Sequence, residues 1–429
     1  MDTPQHEFDV VVFGATGFTG RLVAELLYAS YGATGELRWA IGGRDRDKLE
    51  RLRAELGGGD LPLVVAHSEE PASLVAMVRR TRVVCTTVGP YALYGSNLVE
   101  ACAREGRHYC DLTGEVQWMR AMIDAHQDAA RASGARIVHS CGFDSIPFDL
   151  GVLFLQEAML ATHGVPARHV KGRVAAIRGG MSGGTAASMI QVLEESSRAP
   201  AIRRLLADPY ALDPAGSPRG PDRNDQTGAV WDGDLERWTV PFVMAGINTR
   251  IVRRSHALLG HPWGEDFRYD EAMLMPEGQG ALRAKLRALA MTAGFAAFAI
   301  SPLRAVAKWF LPEPGEGPGP DERLRGFFDI LFHGVHERVE VRDRKRARAP
   351  MTVRVTGDRD PGYGSTSKML AEAAVCLAKD ELECEGGFWT PASAMGRRLI
   401  DRLQARAGLL FSIVDSGERA QQKRLSEKR

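Results

Sequence analysis

The chain is short of cysteine, of aromatic residues and of net charge, and it has no long apolar run of leucine-rich character. Its six cysteines, Cys85, Cys102, Cys110, Cys141, Cys376 and Cys384, are scattered and form no CxxC pair. That speaks against the disulfide framework of a secreted scaffold and for reduced thiols; no metal site is expected. With 55 Lys+Arg against 54 Asp+Glu the formal charge is +1, so no whole-protein field gathers nucleic acid, and no nucleic-acid partner is expected. The first ten residues, MDTPQHEFDV, carry neither the basic head nor the apolar core of an export signal, and the expected location is the cytoplasm. No internal repeat is found.

The one uncharged stretch of note, residues 288–303 (ALAMTAGFAAFAISPL), is short for a span, rich in alanine and interrupted by Pro302. Arg283, Lys285 and Arg287 precede it, and Arg304, Lys308, Trp309 and Phe310 follow. Two readings stand: a buried helix, or a helix lying on a membrane surface through residues 288–310 with its cations snorkelling. The second would make the protein peripheral at a membrane.

What the sequence has in quantity is glycine placed with purpose. Residues 8–20 read FDVVVFGATGFTG. Val10, Val11, Val12 and Phe13 form the continuous apolar run of a strand buried on both faces of a parallel sheet. Gly14, Gly17 and Gly20 then recur at three-residue spacing, and Leu22, Val23, Leu26 and Leu27 continue at helical spacing. A strand, a glycine turn and a helix in this order form a dinucleotide site: the glycines let the backbone approach a pyrophosphate, and the first-turn N–H groups and helix dipole hold its oxygens. Thr16 and Thr19 can add hydroxyl donors.

The second strand, over residues 37–41, ends in Gly42, Gly43 and Arg44, with Arg46 and Lys48 close behind. An acidic residue at that point accepts hydrogen bonds from the ribose hydroxyls of NAD, whereas arginine accommodates the 2′-phosphate of NADP. Asp45 suits a helix N-cap. The reading is NADP(H), held by Gly14, Ala15, Thr16, Gly17, Phe18, Thr19, Gly20, Arg44 and Lys48, with Val88, Gly89, Pro90 and Tyr91 from the loop after the fourth strand.

Further strands over residues 61–66, 82–88, 107–112 and 136–140 alternate with helices, which describes an α/β fold with a Rossmann-type, doubly wound parallel sheet over residues 1–150. Its carboxyl edge carries GPYALYG (89–95), DLTGE (111–115) and CGFDSIP (141–147). Tyr91 and Tyr94 either flank the nicotinamide or pack as loop aromatics. Asp111, Thr113, Glu115 and Asp144 aim at the crevice, although Asp144 and Ser145 also suit a helix start. Residues 207–237, rich in Pro, Gly, Asp and Arg, read as a long surface excursion, and 238–251 as a return to strand. Residues 335–341 and 351–356 read as a hairpin with cations at its tip (342–348), suited to solvent, an acidic carrier protein or anionic lipid.

Together GATGFTG, GGR, VGPYALYG, DLTGE, CGFDSIPFDLG, DPGYGSTSKMLAEAA and GGFWTPASAMG resemble the saccharopine dehydrogenase-like oxidoreductases, and most nearly the trans-acting enoyl reductases of bacterial lipid biosynthesis. The resemblance implies an NADP(H)-binding Rossmann domain, an inserted α/β substrate domain (151–387) and a C-terminal helix (388–414) returning to the first domain, before a polar tail (415–429). It places Gly14, Gly17 and Gly20 at the phosphates and Gly89, Pro90 and Tyr91 beside the nicotinamide. It implies an NADPH-dependent reductase of an enoyl thioester, on a small-molecule or carrier-bound acyl substrate. Tyr94, then Tyr91, are the candidate proton donors, with Asp144 orienting one of them. The rivals are an amino-acid or imine oxidoreductase, which would need arginines in the crevice, and a nucleotide-binding, membrane- or lipid-associated protein without turnover. An oligomer is compatible with all three.

Overall fold

The computed structural model describes residues 6–180, 183–299, 317–336 and 349–414. Six strands come in sequence: β1 (Phe8–Phe13), β2 (Trp39–Gly43), β3 (Leu63–Val65), β4 (Thr81–Thr86), β5 (His108–Cys110) and β6 (Arg136–Val138). All six residues of β1 are buried because it lies mid-sheet between β4 and β2, parallel to both. Its side chains alternate between two layers. Val10 and Val12 join Val23, Ala24 and Leu27 of the helix Phe18–Tyr31; Val11 and Phe13 join Leu74, Val78, Leu98 and Val99 on the opposite face.

A second sheet follows, from β7 (His169–Arg178), β8 (Val230–Asp232), β9 (Arg237–Val240), β10 (Arg268–Leu274), β11 (Phe327–Val335) and β12 (Met351–Gly357). The last two strands, β13 (Gly387–Trp389) and β14 (Leu409–Ile413), go to different sheets. The first sheet runs β13-β6-β5-β4-β1-β2-β3 and is parallel throughout; the second runs β14-β12-β11-β7-β10-β9-β8 and is mixed. Ligand crevices in such folds open at the carboxyl ends where the winding reverses, here between β1 and β4.

The chain returns to the first domain earlier, and by more elements, than the sequence suggests. The helix Thr366–Lys379, nearly all buried, packs on β1, β4 and the helix Phe18–Tyr31. β13 then extends the parallel sheet beyond β6. Within 388–414 the chain forms two helices, Pro391–Ala394 and Gly396–Arg402, the second continued through Leu403–Ala407, and then β14, which pairs with β12 of the second sheet. The single terminal helix is therefore corrected to a strand, a short helical turn, a longer helical run over 396–407 and a second strand.

Residues 207–237 are also tied more firmly than their composition implies. The helix Ala245–Leu258, where a strand was expected, turns three buried arginines onto them. Arg250 pairs with Asp225, Arg253 Nε with Asp222 (2.9 Å), and Arg254 donates to Leu212 O and Phe388 O. Burying these cations is tolerable because each meets a carboxylate or carbonyls.

The helix Ala281–Ala299 covers the first part of the apolar stretch. Ala284 and Ala288 pack against Val240 and Met275, while Leu282, Leu286 and Leu289 are exposed. No helix among the described residues is long and apolar enough to cross a membrane. Residues 300–310, the hairpin tip at 342–348 and the tail 415–429 lie outside the described residues.

Candidate functional site

The glycine turn is built by close backbone approach. Gly14 has φ +89°, in the left-handed region open to glycine, and its N–H and that of Ala15 donate to Gly42 O at 2.9 and 3.1 Å. A Cβ on Gly20 would stand 2.1 Å from Gly14 O. The helix beginning at Phe18 has Gly17 as its N-cap, with no side chain bonded there. The N–H groups of Phe18, Thr19 and Gly20 therefore have no acceptor within the helix and point out at its positive end. Ala15 is buried, Thr16 is exposed beside Gly43, and Val88 leans on Gly14.

At the end of β2, Arg44 is exposed and makes no ion pair among the described residues, in contrast to Arg46, which pairs with Glu50 at 3.0 Å. Asp45 accepts from Lys48 N–H at 3.0 Å, so it caps the helix Arg46–Glu55 rather than competing for a ribose. A free guanidinium here fits a 2′-phosphate. Arg44→Ala is expected to weaken NADPH binding by about 1–3 kcal/mol and leave NADH unchanged. Fluorescence titration of both coenzymes checks this, and equal losses would refute the assignment.

The loop after β4 is organised from below by DLTGE. Glu115 accepts from Tyr91 N–H (2.9 Å), Ala92 N–H (2.8 Å) and Ser188 Oγ (2.9 Å), so it caps the turn Tyr91–Tyr94. Burial holds its carboxyl above the usual carboxylate range. Asp111 accepts from Thr113 N–H, Ser140 N–H and Tyr109 OH, and bonds His139 Nδ1 at 2.7 Å. Both carboxylates, expected to face the crevice, are spent on its framework, as is the Thr113 hydroxyl, which accepts from Glu115 N–H.

Tyr91 packs as a loop aromatic, the second of the two readings. It is 5% exposed, its ring lies 5.5 Å from that of Trp118, and its hydroxyl donates to Thr86 O (3.3 Å) and accepts from Leu112 N–H (3.1 Å). Burial and the nearby Asp111 charge push that hydroxyl well above its ordinary range. It braces the loop through Thr86 and Leu112. Tyr94, three residues on, is 36% exposed, and its hydroxyl has no partner among the described residues.

The loop after β6 is fixed by Phe143 N–H to Thr366 Oγ1 (2.9 Å), Ser145 N–H to Ser140 O (2.9 Å) and Ile146 N–H to Gly142 O (2.8 Å). The helix Ile146–His163 has no side-chain cap, so capping does not explain Asp144. Its Oδ1 is buried and makes no hydrogen bond among the described residues, and burial pushes its carboxyl up to about 7. From β10, Glu271 accepts from Tyr269 OH (2.8 Å) and Asn248 Nδ2 (3.0 Å). Burial, with Asp225 and Asp144 contributing, pushes Glu271 up to about 8. Sequence reasoning passed over Glu271 and Asn248; the only sign was one acid on the inward face of an otherwise strand-like run, Tyr269, Glu271 and Met273.

Two further elements close the crevice. Asp360 accepts from Tyr363 N–H (3.0 Å) and Gly364 N–H (2.7 Å), which folds DPGYG into a turn whose Tyr363 ring meets Phe18 edge-on at 5.2 Å. Gly179, past the end of β7, lies against Pro361, and Gly180 O against Gly362. The motifs that are separate in sequence thus meet around the carboxyl ends of β1 and β4.

Residues 10–138 match the saccharopine dehydrogenase NADP-binding domain family. A trans-acting enoyl reductase of Mycobacterium leprae is 37% identical over 434 residues, covering 96% of this chain and 99% of that protein. One from Mycobacterium tuberculosis is 37% identical over 423 residues, covering 94% and 97%. A second M. tuberculosis protein, provisionally given the same name, is 40% identical over 421 residues with the same coverage. Among solved structures, saccharopine dehydrogenase (L-Glu forming) of Saccharomyces cerevisiae superposes with a TM-score of 0.51 at 12% identity, over 95% of this chain and 99% of that one, which shows a shared fold. With its glycine cradle and unpaired Arg44 suited to NADP(H), the chain is an NADP-dependent oxidoreductase and belongs to the family of the trans-acting enoyl reductases.

Proposed function

We propose that the protein reduces the double bond of an enoyl thioester, presented on a carrier, in the assembly of a lipid or polyketide chain. The names of its relatives support the substrate class. The observation that carries the chemistry is Asp144, an acid with an unbonded oxygen at the carboxyl edge of the sheet, on the loop that Thr366 anchors. NADPH, when bound, supplies the hydride for the β-carbon. The turn Gly14–Gly20 and Arg44 would hold it, and Val88, Gly89 and Pro90 would shape the wall beside its nicotinamide. Negative charge then gathers on the thioester oxygen, and a proton must reach the oxygen or the α-carbon. Asp144, protonated near neutral pH, is the donor we assign, with Tyr94 second.

An amino-acid or imine substrate finds less support. Such molecules carry carboxylates that call for guanidinium groups. Three buried arginines of the second domain, Arg250, Arg253 and Arg254, are already bonded to Asp225, Asp222 and backbone carbonyls. The deciding experiment is NADPH oxidation with a panel of enoyl thioesters, 2-oxo acids with ammonia, and cyclic imines. Turnover with the enoyl thioesters alone is expected; turnover with an imine or oxo acid alone would sink the proposal.

A further inference from the structure

Residues 317–325 of the second domain lie beside the glycine turn, and nothing in the known family match, which ends at residue 138, assigns them a role. The segment runs so close to Phe18 that a Cβ on Gly317 would fall 2.4 Å from the phenyl ring. The short helix Pro320–Arg325 follows, and from it the Arg323 guanidinium lies over the same ring, 5.6 Å from its centroid. Tyr363 closes the ring's edge at 5.2 Å. Phe18 is the first residue of the helix whose N-terminal N–H groups are uncapped. A cation from one domain and the positive end of a helix from the other therefore flank one turn.

Among the described residues no acid forms an ion pair with this cation, although the Asp360 carboxylate feels its charge. Arg323 makes no ion pair among the described residues, and its one hydrogen bond there is Nη1 to Pro318 O at 2.8 Å. Asp360 faces it, but each Asp360 oxygen is taken by a backbone N–H, Tyr363 to one and Gly364 to the other. Glu322 Oε1 lies toward Gly180. A guanidinium has five donors in a planar fork and keeps its charge at any working pH; most of these donors are unclaimed. Two positive features meet at one turn, with no acid in ion-pair contact with Arg323 among the described residues, and they suit an anionic ligand that bridges them.

We propose that Arg323 is a coenzyme-binding residue supplied by the second domain, engaging the pyrophosphate of the dinucleotide at the glycine turn. Its stack on Phe18 fixes the direction of the fork, and Gly317 permits the segment to lie close enough. The pyrophosphate is common to both coenzymes, so Arg323 adds affinity without choosing between them, and the choice stays with Arg44. Binding would also tie the second domain to the first.

The test separates these roles. NADPH and NADH are titrated by fluorescence against wild type, Arg323→Met, Arg323→Lys and Arg44→Ala at several salt concentrations. Methionine keeps the apolar stem over Phe18 and removes the charge; lysine restores a point charge. Arg323→Met is expected to weaken both coenzymes by the same factor, about tenfold or more, to flatten the salt dependence and to reduce the rise in melting temperature on adding NADPH. Arg323→Lys should recover part of the loss. Unchanged affinity for both coenzymes, or a loss confined to NADPH as expected of Arg44→Ala, overturns the proposal. A wild-type chain that binds neither coenzyme would overturn the coenzyme site, and this proposal with it.

Discussion

Gly20→Ala is expected to cut NADPH affinity by at least about 100-fold and to lower the melting temperature of the free protein. The added Cβ would sit 2.1 Å from Gly14 O, 2.7 Å from Gly14 C and 2.7 Å from Thr87 Oγ1. Two of those atoms are backbone, so no rotamer change relieves the contact. The helix Phe18–Tyr31 has to move off β1, and the move breaks close packing among Val10, Val12, Val23 and Leu27, all wholly buried. Overpacking of this kind costs about 1–3 kcal/mol where side chains can yield, and more where backbone must. The coenzyme loses more than the fold does, because displacing the helix turns its three outward N–H groups away from the phosphate position. Gly17→Ala is the informative control: its Cβ meets only Gly14 O, at 3.3 Å, so the free protein should melt near the wild-type temperature. Thermal unfolding with and without NADPH, beside direct titration, reads both effects. Wild-type affinity in Gly20→Ala would show that the helix start does not carry the phosphate.

The coenzyme half of the molecule was legible because its physics is local. β1 is apolar at consecutive positions since both faces of a parallel strand are covered, and its glycine turn follows within the same thirteen residues. Arg44 was legible for the same reason: the end of β2 follows directly from the end of its apolar run. β13 and β14 were not, since three and five residues carry no usable period, and β13 pairs with β6 some 250 positions earlier in the chain. Side-chain direction was the other hidden quantity. Asp111, Glu115 and Tyr91 stand in motifs at the carboxyl edge, yet the loops need acceptors and a brace for their own N–H groups, and these residues turn inward to supply them. Asp144 differs because the helix after it, Ile146–His163, takes no side-chain cap, and Asp144 Oδ1 finds no hydrogen-bond partner among the described residues.

That idle carboxyl yields the most discriminating experiment, since Asp144→Asn should make the protein more stable and less active together. Folding raises the Asp144 carboxyl from an ordinary 3.8 to about 7, so the folded chain holds that proton more tightly than the unfolded one. Its contribution to stability is complete below about pH 4, is lost as the pH rises through about 7, and is missing at pH 8. Asparagine has no charge to desolvate. At pH 8 the variant should therefore gain up to a few kcal/mol over wild type, and at pH 4 the two should match. In wild type the single-turnover rate should fall as the pH passes about 7 and the acid form is lost. The variant should lack that limb and run at least about 100-fold slower at pH 6, as expected when a positioned acid is removed. Tyr94→Phe measured alongside assigns the proton to the other candidate if it, and not Asp144→Asn, slows the step. Asp149 supplies the contrast. Burial raises it to about 7 as well, but it accepts from Ser255 Oγ at 2.5 Å and Ala392 N–H at 2.8 Å, so Asp149→Asn breaks bonds that join the helix Ile146–His163 to its neighbours and should lower stability. A carboxyl retained for architecture behaves like Asp149. If Asp144→Asn instead destabilises the fold at pH 8 and leaves the rate and its pH limb intact, solvent protonates the product and Asp144 has no part in the chemistry.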